Sequence, residues 1–197
     1  MSDLEARFAG RLHRHEPMSR HTSWHVGGPA DWFFEPRDRE DLANFLRAIP
    51  ADLPLWWVGL RSNLLVRDGG LRGAVILTHG AFSKLEPRAD GLIWCEAGVP
   101  CARIARHCVR LGLGPAEFFA GIPGTLGGAL AMNAGAFGGE TWSHVREVEV
   151  IDRSGNIRWR AAGEYRVAYR HVTAPVAGEA FLGATLAFES RPASNND

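Results

Sequence analysis

Three glycine-rich segments stand far apart in this chain: Val26-Gly27-Gly28-Pro29, Gly59-Leu60-Arg61-Ser62-Asn63, and Gly121 to Gly128. Each borders an apolar run. Glycine removes the Cβ that would hold a ligand away, so backbone N–H groups in such loops can reach phosphate oxygens. Ser62, Asn63, Thr125 and Asn133 place neutral donors beside them. A diphosphate held by backbone and hydroxyl groups needs no lysine, and these loops contain none. The competing reading of any one loop is a plain turn. The familiar nucleotide signatures are absent: no G-x-G-x-x-G follows a strand, and no G-x-x-x-x-G-K-[ST] occurs. A dinucleotide cradle of some other architecture stays open. Cys95, Cys101 and Cys108 form no Cys-x-x-Cys. Cys108 and its neighbour His107 would point in different directions on a helix, so buried, reduced thiols are expected rather than metal ligands.

These loops need elements to hold them. Residues 1–20 are charged and weakly periodic, and read as an N-terminal arm with one short helix. Asp31 to Pro36 reads as a strand stopped by proline. Asp38 can cap a helix with Leu42, Phe45, Leu46 and Ile49 on one face, and Pro50 ends it. Leu55 to Val58, Leu64 to Val66 and Gly73 to Leu77 read as strands, giving a β-α-β-β-β unit over residues 21–82. A second unit, residues 83–190, opens with a strand over 92–98. A helix after Pro100 follows, with Ile104, Cys108, Val109 and Leu111 on its apolar side. The third glycine segment comes next. Val145 to Asp152 alternates as a half-buried strand, and Ser154-Gly155-Asn156 turns it into Ile157 to Arg160. Phe181 to Phe188 is the last strand, before a polar tail at 191–197. The fold class expected is α+β.

Acidic and basic residues balance at 22 each, which leaves no electrostatic footprint for nucleic acid or an anionic membrane. No apolar run is long enough to span a bilayer, and the charged N-terminus does not read as a secretory signal. A cytoplasmic protein is the expectation.

Four ordered motifs resemble one family. "TSWHVGGP" (22–29), "VGLRSNLLVRDGG" (58–70), "AGIPGTLGGALAMNAGAFGGE" (120–140) and "YRVAYRHV" (165–172) are similar to motifs of the UDP-N-acetylenolpyruvoylglucosamine reductases of peptidoglycan precursor synthesis. The resemblance runs from about Thr22 to Phe188. It implies a two-subdomain FAD-binding fold of the vanillyl-alcohol-oxidase (PCMH) type, with the flavin between the two units. It further implies that Gly59, Ser62 and Asn63 cradle the FAD diphosphate from the first unit. Gly121, Ile122, Pro123, Gly124, Thr125, Gly127 and Gly128 would do so from the second, while Asn133, Ala134 and Gly135 approach the flavin or its ribityl chain. Arg170 matches an arginine that polarises the enolpyruvyl carboxylate and stabilises the developing enolate. Tyr169 packs or hydrogen-bonds at the substrate. The implied reaction takes hydride from NADPH to FAD and then to UDP-N-acetylglucosamine enolpyruvate, yielding UDP-N-acetylmuramate.

Two departures from the family pattern are visible. Arg61 stands where the first loop's G-x-G-S-N has its second glycine. If that position needs positive φ or close approach to the diphosphate, arginine costs about 1 kcal/mol or clashes; otherwise its guanidinium reaches a phosphate. The chain also stops at Asp197, before the family's C-terminal substrate domain with its proton-donating serine and assisting glutamate. The expectation is therefore weak reductase turnover, unless a separate chain supplies that domain. The alternatives are a non-catalytic FAD-binding module and an FAD-dependent oxidase of the same fold.

Overall fold

The computed structural model describes residues 2–8, 11–61 and 64–190. After a short helix α1 (Ser2–Arg7) comes β1 (Leu12–Pro17), which lies within the segment expected as an arm. It pairs antiparallel with β2 (Pro29–Phe34), Leu12 opposite Phe34. Helix α2 (Arg39–Ala48) begins at Asp38, whose carboxylate accepts the Asp41 N–H at 2.8 Å. This is the cap that the sequence pattern calls for. Leu42, Phe45, Leu46 and Ile49 are all buried. Strands β3 (Leu55–Val58) and β4 (Leu71–Leu77) complete a four-stranded sheet ordered β1-β2-β4-β3, with β4 parallel to both neighbours. Residues 73–77 of β4 are buried without a break, as a parallel strand covered on both faces should be. Leu64 to Val66 is not a strand; this segment instead packs against the Gly27-Gly28 loop.

The rest of the chain builds a second, antiparallel sheet. Its elements are β5 (Leu85–Pro87), β6 (Leu92–Glu96), helix α3 (Cys101–Arg110), the two-residue β7 (Leu113–Gly114), and helix α4 (Leu126–Met132). Two tiny strands, β8 (Gly135–Ala136) and β9 (Gly139–Glu140), pair with each other and lead into β10 (Val145–Ile151) and β11 (Ile157–Ala161). The hairpin β12 (Arg166–Ala168) and β13 (His171–Thr173) precedes β14 (Ala180–Ala187) and β15 (Glu189–Ser190). The sheet order is β11-β10-β14-β6-β5, so the last long strand enters at the centre. Helices α3 and α4 supply the buried Ile104, Cys108, Leu126 and Leu130, which pack on Ile93, Cys95, Val148 and Leu186 of this sheet.

Between the sheets, α2 is the mediator. Its Leu42 and Phe45 share one core with Phe34 and Ile76 of the first sheet and Ile151 and Leu182 of the second. Arg39 adds a polar staple there. Its guanidinium donates to Glu149 at 2.8 Å and to Glu96 at 2.6 Å, while the second oxygen of Glu96 accepts the Lys84 N–H at 2.7 Å. Burial pushes the Arg39 pKa down, but the two carboxylates outweigh it and hold the group above its ordinary value. Among the described residues, no helix is long and apolar enough to cross a membrane.

Candidate functional site

The C-terminal end of β3 and the segment before α4 meet across the gap between the sheets. A Cβ added to Gly59 would overlap Thr125 Oγ1, so glycine lets the two loops touch. Around this contact lies a cavity of about 600 Å³, within the range of about 300–1,000 Å³ for organic ligands. A smaller one of about 210 Å³ shares Val58, Gly59, Thr125 and Gly128 with it.

The backbone of the third glycine segment is partly committed. The Leu126 and Gly127 N–H groups donate to the Val99 and Ala97 carbonyls at 2.9 and 2.8 Å, and the Gly124 carbonyl accepts the Cys101 N–H at 3.0 Å. Those bonds fix the segment to the second sheet. The N–H groups of Gly124, Thr125 and Gly128 have no protein acceptor among the described residues, and all three residues line the larger cavity. Such unspent donors suit an anionic ligand. Gly124 has φ of +130°, a conformation that a side chain would strain. A Cβ on Gly128 would meet nothing within 4 Å, so that glycine faces open space.

Of the residues singled out from the sequence, Gly59, Ile122, Pro123, Gly124, Thr125, Gly128, Asn133, Ala134, Gly135, Tyr169 and Arg170 line the larger cavity, and Gly127 the smaller. Ser62 and Asn63 lie outside the described residues. Gly121 lines neither cavity. A Cβ there would come within 2.6 Å of the Phe137 ring and 2.7 Å of Ala136, so this glycine serves packing. The Gly27-Gly28 segment does likewise: the Gly28 N–H donates to the Arg67 carbonyl at 3.0 Å, and a Cβ on Gly27 would lie 2.8 Å from that of Val66.

Asn133 is only 4% exposed and adopts φ of +42° at the end of α4. Its Nδ2 donates to Glu140 at 2.9 Å and to the Ala168 carbonyl at 3.4 Å, and its Oδ1 accepts the Trp142 N–H at 3.1 Å. The side chain is thus spent inside the protein, tying α4 to the β8–β9 hairpin and to the β12–β13 hairpin. The turn of the latter carries Tyr169 and Arg170, with the guanidinium 5.7 Å from the Tyr169 ring centroid. Tyr165, at the start of the same motif, anchors it against Trp142 and Phe181 at 4.7 and 5.7 Å between ring centroids. Burial pushes the Tyr165 hydroxyl up to about 12. Sequence reasoning did not select Trp57, Met132 or Glu140 as site residues, yet all line the cavity. Met132 and Glu140 fall within the third motif, whereas Trp57 lies just outside the second.

The cysteines lie elsewhere. All three are free and buried, and burial raises Cys101 to about 12 and Cys108 to about 11. Among the described residues, no group of three or more His, Cys, Asp or Glu could hold a metal ion.

A family described as FAD binding domain matches residues 30–160, a span that runs from within β2 past β10 and includes both touching loops. The chain belongs to this FAD-binding family. It is 58% identical over 180 residues to the UDP-N-acetylenolpyruvoylglucosamine reductase of Alkalilimnicola ehrlichii, covering 91% of this chain and 60% of the relative. The corresponding enzyme of Methylococcus capsulatus is 56% identical over 172 residues, covering 87% of this chain and 56% of the relative. The chain thus spans about three fifths of the length of the curated relatives it matches. The crystal structure of the Thermus caldophilus reductase aligns with a TM-score of 0.75 at 31% identity, over 92% of this chain and 64% of that one. A solvent-stable cholesterol oxidase, at 17% identity and a TM-score of 0.64 over 91% of this chain and 38% of that one, shares the fold alone. The architecture is an α+β FAD-binding fold, and FAD is the cofactor of the family. The residues present fit that group: a glycine-walled cavity, three unspent backbone donors, and an open face at Gly128.

Proposed function

We propose that the chain holds FAD between residues 21–82 and 83–190 for the NADPH-dependent reduction of UDP-N-acetylglucosamine enolpyruvate to UDP-N-acetylmuramate. One observation carries the reading. The glycine-rich segment with its free donors and the Tyr169-Arg170 turn line the same cavity, so a site for a diphosphate and a site for a carboxylate share one space.

When bound, FAD supplies the hydride-transfer chemistry, which no amino-acid side chain provides. The residues do the rest. Gly124, Thr125 and Gly128 donate backbone N–H groups to the diphosphate, with Gly59 opposite. Ile122, Pro123, Ala134 and Gly135 shape the walls. Ser62 and Asn63 belong to the first loop and are assigned to the same cradle. Arg170 binds the enolpyruvyl carboxylate, and its planar, permanently charged guanidinium suits charge that grows on that group during reduction. Tyr169 packs beside it, at 80% exposure free to meet substrate. Asn133 acts from behind by fixing the hairpin that carries both. The cytoplasm, which holds nucleotide sugars and NADPH, is the compartment proposed.

The test is a titration of the purified chain with FAD, followed by NADPH oxidation with and without the UDP-sugar. Flavin retained through desalting, with oxidation that depends on the UDP-sugar and falls at least about tenfold in Arg170→Met, is the expected result. Retained flavin with oxidation coupled only to oxygen would favour an oxidase. Flavin with neither activity would leave a binding module.

A further inference from the structure

Arg61 lies three residues past the end of β3, at φ of +64°, a backbone conformation that is uncommon for residues other than glycine. The arginine is nevertheless held in an ordered arrangement. Its Nη1 donates to His21 Nδ1 at 3.0 Å, and His21 Nε2 lies 2.8 Å from a Glu16 carboxylate oxygen. A guanidinium can only donate, so Nδ1 must accept, and the proton sits on Nε2, donated to Glu16. Arg61, His21 and Glu16 thus form one connected chain of side chains. Its ring stacks on the fully buried Phe33 at 4.1 Å, inclined by 20°, and the His21 and Glu16 side chains are only 15% and 16% exposed. One end of the guanidinium is thus tethered to a rigid relay, and its remaining N–H groups have no acceptor among the described residues.

The residue also lines the larger cavity. The other charged side chains there are Glu140 and Arg170. Glu140 accepts from Asn133, and Arg170 belongs to the β12–β13 turn. On the side formed by the end of β3, where Gly59 abuts Thr125, Arg61 is the charged lining residue among those described. A dianionic diphosphate bound to the free N–H groups of Gly124, Thr125 and Gly128 would otherwise meet only neutral donors on that side.

We propose that Arg61 is a diphosphate-binding residue of this chain, presented to the cavity by the Glu16–His21 relay. The inference rests on the FAD reading above. The relay explains why an arginine is tolerated at positive φ: it replaces conformational freedom at the loop with a fixed cation. Glu16 and His21 are positioning residues, since they act through Arg61.

The experiment is a flavin-fluorescence titration of the wild type, Arg61→Gly, Arg61→Lys and His21→Ala, with FAD and with riboflavin, at low and high salt. Glycine suits the backbone at 61, and circular dichroism checks that each variant is folded. Arg61→Gly should weaken FAD by about tenfold or more, the loss of a charge-assisted contact, and the deficit should shrink at high salt. Riboflavin, which lacks phosphate, should bind the wild type and Arg61→Gly alike. Arg61→Lys should restore part of the affinity. His21→Ala should weaken FAD in the wild type and have no further effect in the Arg61→Gly background. Unchanged or tighter FAD binding by Arg61→Gly would overturn the proposal while leaving the FAD reading intact, including the case where the wild type takes up no FAD and the glycine variant does. If neither folded protein takes up FAD, the FAD reading fails and the proposal falls with it.

Discussion

Gly128 separates the needs of the fold from those of the ligand. It is the third residue of α4, and a Cβ there meets nothing within 4 Å. Replacing it with alanine adds helix propensity of about 0.5–1 kcal/mol without a clash in the free protein. At this chain length that corresponds to a rise in Tm of about 1–4 °C. The same methyl would stand in the cavity beside the Gly128 N–H. A phosphate forced off that donor loses a charge-assisted hydrogen bond worth about 1.5–3 kcal/mol, or about tenfold to a hundredfold in Kd. Gly127→Ala is the control. Its Cβ would lie 3.1 Å from the Ala97 Cβ and 3.2 Å from the Ala97 carbonyl oxygen, and overpacking of about 1–3 kcal/mol outweighs the propensity gain. Differential scanning fluorimetry and FAD titration of both variants check the argument. Gly128→Ala should be more stable and bind FAD more weakly, and Gly127→Ala should melt lower. A Gly128→Ala protein with wild-type FAD affinity would refute the placement of the phosphates against α4.

Further predictions concern the scaffold. Arg39→Ala leaves Glu96 and Glu149 without their shared cation in a buried setting and should cost about 3–5 kcal/mol in urea unfolding, whereas Arg39→Lys should recover part of it. Asn133→Ala strands the buried Trp142 N–H, 3.1 Å from the lost Oδ1, and should cost about 1–3 kcal/mol. Asn133→Gly keeps the left-handed backbone but not the bonds, so it should be destabilised by nearly as much in the same urea assay. Burial raises the Asp41 pKa, but hydrogen bonds from Arg11 and the Arg37 backbone outweigh it and hold the carboxyl below its usual range. The stability this provides is present above the unfolded carboxyl pKa of about 3.9 and lost as pH falls through the lower folded value. Asp41→Asn should therefore flatten the acid limb of Tm against pH, and an unchanged acid limb would discount the pair.

The parts of the fold legible in the sequence are those governed by local rules. The Asp38 cap and the spacing of Leu42, Phe45 and Leu46 mark α2 because both follow from helix geometry alone. Ser154-Gly155-Asn156 marks a hairpin because its turn needs positive φ, which Gly155 supplies at +75°. Leu64 to Val66 has strand-like composition but no strand: its neighbours are the loop at Gly27-Gly28, a partner distant in sequence. For the same reason a glycine packed under Phe137, Gly121, reads from sequence like one that faces open cavity space, Gly128. Only the surroundings distinguish them. Most of the residues named through the motif match line the larger cavity, but Gly121 does not. The Arg61–His21–Glu16 relay depends on three side chains converging from separate segments, and no spacing rule encodes that.

The central place of β14 in the second sheet has a bearing on how the protein is made. Translation delivers β6 and β10 long before residues 180–187 leave the ribosome, yet β14 pairs with both of them. Until then the nascent chain holds two long strands with open, hydrogen-bonding edges, and the segment preceding α4 lacks its finished support. Such edges invite pairing with other chains. Completion of the second sheet therefore waits for residues 180–187, and a polypeptide released before residue 180 should aggregate even though it keeps every glycine of both loops.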